Sequence, residues 1–182
     1  MARILQPKTH SQWYYELKAC AYYNETELED WIKQQAKSLF PQHHLIPYKQ
    51  KITSRITDED KKPDFALIRK DFSDWSIVEV ELEDHTLEHV LGQVKVFVDG
   101  EYNSVTVAKY VKKQFKKYLR RDVGEKRLRD LFTNKSPTIL VVVDKDKQKW
   151  KEELDKLKAT PSNIRYCFVL SLYKLHRVSS PS

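Results

Sequence analysis

The run Thr138-Ile139-Leu140-Val141-Val142-Val143, closed off by Pro137 and Asp144, limits the possible folds more than any other stretch of this chain. It is too short for a stable helix and mostly β-branched, so it reads as a strand buried on both faces. Such a strand needs apolar layers above and below it, which helices on both sides of a sheet supply. The neighbouring patterns agree. Asn24 caps a helix in which Leu28, Ile32, Gln35/Ala36 and Leu39 recur until Pro41. Strands are expected at His44–Thr53, Asp64–Arg69 and Ser76–Glu83, with turns at Asp58–Lys62 and Lys70–Asp74. Asp84 then opens a helix striped by Leu87, Val90, Leu91 and Val94. A longer helix over Ser104–Arg121 buries Ala108, Val111, Phe115, Tyr118 and Leu119, and Gly124 separates it from a helix over Glu125–Phe132. Lys147–Lys158 reads as helical and Ile164–Leu172 as the last buried strand. At the start, Gln12–Tyr23 reads as an aromatic-rich helix. This order predicts one α/β domain over residues 1–182, a mixed central sheet flanked by helices on both faces. The core runs from about 24 to 175, with a loose tail over 176–182.

Composition removes several classes. Three glycines leave no phosphate-cradling loop, which excludes P-loop and dinucleotide-binding enzymes. Cys20 and Cys167 lack the spacing of a disulfide framework or a zinc site, and His43-His44 has no further ligand spacing. The sequence shows no signal-peptide pattern and no membrane-length apolar run, so a soluble cytoplasmic protein is expected. The net charge of +7 is uneven: basic residues crowd Lys109–Arg127, acidic ones Glu25–Asp30 and Glu79–Asp84.

The acidic stretch carries the chemistry. Alternation along Ser76–Glu83 puts Val78, Val80 and Leu82 on one face and Ile77, Glu79, Glu81 and Glu83 on the other. Carboxylates in line repel one another and disfavour a strand, a cost that a divalent cation relieves. Mg²⁺ and Mn²⁺ prefer such oxygens. A hairpin at Lys70–Asp74 would carry Asp64, at the start of the preceding strand, to Glu79 and Glu81. The Val80 carbonyl, between the two glutamates, is a further candidate ligand. The alternative is an edge strand whose acidic face is merely solvated and discourages edge pairing.

The pattern Pro63-Asp64, a turn, then Glu79-Val80-Glu81 resembles the PD-(D/E)xK nuclease superfamily. The match covers about Asn24 to Phe97, and with Glu25 and Gln93 the arrangement looks most like Shedu-type anti-phage nuclease domains. The resemblance implies a restriction-endonuclease-like core and a Mg²⁺- or Mn²⁺-dependent DNA endonuclease acting against foreign DNA, paired as a homodimer or working with a partner defence protein. It implies a metal held by Asp64, Glu79, Val80 and Glu81, and a catalytic set of Asp64, Glu79, Glu81, Gln93 and Glu25. Glu29 competes with Glu25, and either also suits the positive end of a helix. The superfamily usually has lysine where this chain has Glu81; Lys51 and Lys95 are the candidates to supply one from elsewhere. His89 reads as a surface residue.

Lys109, Lys112, Lys113, Lys116 and Arg120 share one flank of the long helix, with Tyr110 and Tyr118 interleaved and hardly any acidic partners. Such a ridge suits a DNA backbone. Besides an endonuclease, a non-catalytic nucleic-acid-binding module and a protein-interaction domain remain open readings.

Overall fold

The computed structural model describes residues 4–5, 13–19, 24–82, 84–144, 148–157, 167–171 and 173–179. In chain order the elements are β1 (Ile4–Leu5), β2 (Trp13–Ala19), α1 (Glu25–Leu39), β3 (His43–Pro47), β4 (Ile52–Thr53), β5 (Asp60–Lys61), β6 (Phe65–Arg69) and β7 (Trp75–Glu81). They continue with α2 (Leu87–Val98), α3 (Ser104–Leu119), α4 (Glu125–Asn134), β8 (Thr138–Val143), α5 (Gln148–Leu157), β9 (Cys167–Ser171) and β10 (Tyr173–Ser179).

The central sheet has five strands in the order β3-β6-β7-β8-β9. The β3, β6 and β7 strands run antiparallel, whereas β7, β8 and β9 run parallel. Parallel neighbours need long crossovers: α2, α3 and α4 lie between β7 and β8, and α5 lies between β8 and β9. The two faces are covered differently. Ile77, Ile139, Val141 and Val143 pack with Val90, Val94 and Phe97 of α2, Val111 and Phe115 of α3, Leu128 of α4, and Trp150 of α5. On the other face Val78, Val80 and Val142 meet Leu28 and Ile32 of α1, with Phe65 and Leu67 beside them. Each of these side chains, taken fully out of water, contributes roughly 1.5–3 kcal/mol. The mixed sheet with helices on both faces is thus as expected.

Several local expectations are corrected. Trp13–Ala19 is not helical: β2 pairs antiparallel with β10, Tyr173 opposite Ala19 and Ser179 opposite Trp13, in a second sheet β1-β2-β10. Residues 173–179 are therefore strand, and the expected tail from 176 is its second half; residues 180–182 lie outside the described residues. The strand expected over His44–Thr53 starts at His43 and breaks at Tyr48–Lys51 into β3 and β4, and β4 forms a small hairpin with β5, which lies inside the segment read as a turn. Thr86, not Asp84, caps α2, its hydroxyl accepting the His89 N–H at 3.2 Å. Tyr118 is exposed at 48% and Leu119 is partly buried, while Val107 joins the buried stripe of α3. The lone-edge reading of the acidic strand also fails, because β7 is the middle strand of five. Among the described residues no helix is long and apolar enough to cross a membrane.

Candidate metal centre

The hairpin β6–β7 sets the first contact. Phe65 pairs with Val78, so the next residues outward, Asp64 and Glu79, come opposite each other. The Asp64 N–H donates to the Val78 carbonyl at 3.2 Å, and the Asp64 Oδ2 accepts the Val80 N–H at 2.8 Å. Since a residue's N–H and carbonyl point to the same side of a strand, the Val80 carbonyl is turned toward Asp64 as well. Asp64, Glu79 and Val80 thus meet at the end of the hairpin, whereas the Glu81 oxygens are engaged by His85 and Gln93. Glu83 lies outside the described residues.

These carboxylates sit deep. Glu79 is 5% exposed and Glu81 fully buried, on the sheet face that α2 covers. Glu79 Oε2 is buried without a hydrogen-bond partner. Burial is the main cause that raises Asp64, to about 6, although the Lys49 ammonium and the Val80 N–H pull the other way. Burial, then the charges of Asp64 and Glu81, pushes Glu79 well up. Glu81 is raised too, by burial first, against the opposing pull of His85. An array in which every ionised form is disfavoured favours a cation.

A lysine reaches the site from a position that was not foreseen. Lys49 follows β3 and donates to Asp64 Oδ1, and to Glu29 Oε1 at 3.1 Å. Burial depresses the Lys49 ammonium, but the hydrogen bond and charge of Asp64, with those of Glu29, outweigh it and leave it raised. Its backbone is fixed on both sides: the Tyr48 N–H donates to the Asp64 carbonyl at 2.9 Å, and the Lys49 N–H to the Tyr110 hydroxyl at 3.0 Å. The expected donors are elsewhere. Lys51 pairs with Asp60 at 2.6 Å, and Lys95 is exposed on α2.

On the other side of Glu81 stand two histidines. His85 Nδ1 is hydrogen-bonded to Glu81 Oε2 and lies 3.2 Å from Glu25 Oε1. The Glu81 bond is the leading cause that raises His85 above the usual histidine range. Gln93, 9% exposed, donates through Nε2 to Glu81 Oε1 at 2.6 Å and lies 2.7 Å from His89 Nε2. Glu81, His85 and His89 form a group that could hold a metal ion, their ligand atoms all within 4.8 Å of one another. The two competing acids of α1 therefore divide: Glu25 reaches the histidine side, and Glu29 the lysine side. The histidines carried a signal in the sequence, since Glu81, His85, His89 and Gln93 recur at every fourth residue. Lys49 carried none, because its place depends on the register of β3 against β6.

The basic flank of α3 begins close by. Lys109, Lys113, Lys116 and Arg120 are exposed and Lys112 is partly so. Among the described residues no ion pair ties them down, and Tyr110 of the same helix touches Lys49. Lys117 lies 4.8 Å over the Tyr118 ring. No protein-family model, no curated protein and no solved structure matches this chain, so its chemistry is read from these residues.

Proposed function

We propose that this chain is a divalent-metal-dependent DNA endonuclease on a restriction-endonuclease-like core, hydrolysing phosphodiester bonds of foreign DNA as its resemblance to Shedu-type domains implies. The observation that carries the reading is the pairing of half-buried Asp64 with buried Glu79 at the end of the β6–β7 hairpin, where Glu79 keeps one oxygen unpaired and Glu81 follows along β7. These groups, with the Val80 carbonyl, would hold Mg²⁺ or Mn²⁺. Such an ion acidifies a bound water and neutralises charge on the reacting phosphate.

The chain's own residues do the rest. Asp64 is kept in place by the Val80 N–H and by Lys49. The Lys49 ammonium supplies the resident cation usually expected at position 81, set to donate to a non-bridging phosphate oxygen. Gln93 fixes Glu81 through a 2.6 Å bond, which sets the direction of its second oxygen. The α3 lysines and Arg120 hold the DNA backbone by charge, without reading bases. The second reading is a DNA-binding module that does not cut. Glu81 favours it, because Gln93 and His85 already engage both its oxygens.

Incubation with plasmid and linear DNA in Mg²⁺, Mn²⁺ or chelator separates the two. The nuclease reading expects metal-dependent cutting that Asp64→Asn and Glu79→Ala each reduce by about 100-fold or more. Binding without cutting in any metal would establish the second reading.

A further inference from the structure

Beside Asp64 and Glu79, the side chains of Glu81, His85 and His89 bring one oxygen and two imidazole nitrogens within 4.8 Å of one another near the start of α2. We infer that these three side chains form a second metal position, selective for a borderline transition ion such as Co²⁺, Ni²⁺ or Zn²⁺ over Mg²⁺. The inference rests on reading the β7 carboxylates as a metal centre, but not on cleavage of DNA.

Donor chemistry supports the selectivity. Imidazole nitrogen suits transition ions, whereas Mg²⁺ strongly prefers oxygen and keeps its waters. Two histidines and one carboxylate, with positions left open, is a donor set used by catalytic hydrolytic metals. The arrangement is close to formed. Ligand atoms about 2.0–2.2 Å from an ion stand about 3–3.5 Å apart, and here all three lie within 4.8 Å of one another. His89 Nε2 is 3.9 Å from Glu81 Oε1, so only a short side-chain movement is needed. Gln93 contacts both Glu81 and His89, holding two of the three donors in register. Exposure points the same way: Glu81 is at 0%, His85 at 31% and His89 at 50%, so the group is anchored in the protein and open toward solvent. Glu25, 3.2 Å from His85 Nδ1, borders it as a further carboxylate. Two residues before Glu81 on β7, Glu79 Oε2 is buried without a hydrogen-bond partner. Glu81 lies between the two positions and would be shared by them.

The test is equilibrium dialysis of the full chain against Co²⁺ in excess Mg²⁺, with the visible spectrum of bound Co²⁺ recorded. Circular dichroism checks that each variant is folded. Wild type is expected to retain Co²⁺ in excess Mg²⁺ and to show bands of nitrogen ligation. His85→Ala and His89→Ala should each weaken Co²⁺ binding by about 10-fold or more, and Asp64→Asn should leave those bands in place. Displacement of Co²⁺ by Mg²⁺, a spectrum without nitrogen ligation, or histidine variants that bind as wild type would overturn the inference. The nuclease reading fails separately: histidine-dependent Co²⁺ binding in a protein that cuts no DNA would sink that reading and keep this one. Cutting that needs Asp64 and Glu79, with Co²⁺ binding untouched by the histidine variants, would do the reverse.

Discussion

Asp64 is pulled in two directions. Burial beside Glu79 favours its protonated form, while Lys49 and the Val80 N–H favour the carboxylate, and burial prevails at about 6. A folded-state value above the ordinary 3.8 means that ionisation weakens the fold. The stabilising contribution is complete below the ordinary value and is lost as pH rises through about 6. At about 1.4 kcal/mol per unit the loss is no more than about 3 kcal/mol. In chelator, wild type should therefore lose stability relative to Asp64→Asn between about pH 4 and pH 7. Denaturant melts of both proteins across that range check this; parallel curves would contradict it. Lys49 acts on the same carboxylate from outside. Its replacement by methionine should lower cleavage by about 100-fold, while Mn²⁺ still binds, which calorimetry with the same preparation would show.

At the scale of elements, β7 matters because of its place. A strand paired on both edges cannot turn its polar side chains to solvent by slipping register, so Glu79 and Glu81 stay aimed at the α2 face. The segment Lys49–Thr53 is anchored just as firmly at its far end. A Cβ on Gly100 would lie 2.5 Å from Ile52 Cγ2 and 3.0 Å from the Val96 carbonyl. Gly100→Ala should then destabilise the protein by about 1–3 kcal/mol, read from a thermal or urea melt, and displace Lys49 with the β4 segment. An unchanged midpoint would show that the loop yields freely. In α3 the expectation concerns charge. Lys113→Glu with Lys116→Glu should weaken DNA binding at low salt and flatten its salt dependence by about two units of slope; a titration at several salt concentrations measures both. Binding that keeps its full slope would place the DNA on another surface.

Across the whole molecule, what was legible in the sequence is what local periodicity controls. Alternation along β7 and the short turn after β6 were enough to bring Asp64 to Glu79, and the apolar run of β8 was enough to require helices on both faces. Long-range pairing was not legible. Trp13–Ala19 is a strand because it meets Tyr173–Ser179 from the far end of the chain, and no local pattern encodes that partner. The aromatic run Trp13-Tyr14-Tyr15, which suits a pleated surface, was the available hint. Lys49 was hidden for a related reason: only the β3–β6 pairing lays it against Asp64. The histidines were visible as a four-residue recurrence, but it crosses a strand end, a turn and a helix start, where no single period applies. Everything proposed for this site requires that the buried carboxylates hold a divalent cation. Calorimetric titration of Mn²⁺ into wild type and Glu79→Gln tests that requirement most directly. Saturable binding that Glu79→Gln weakens by about 10-fold or more is the expected result; no binding, or equal binding by the two proteins, would contradict it.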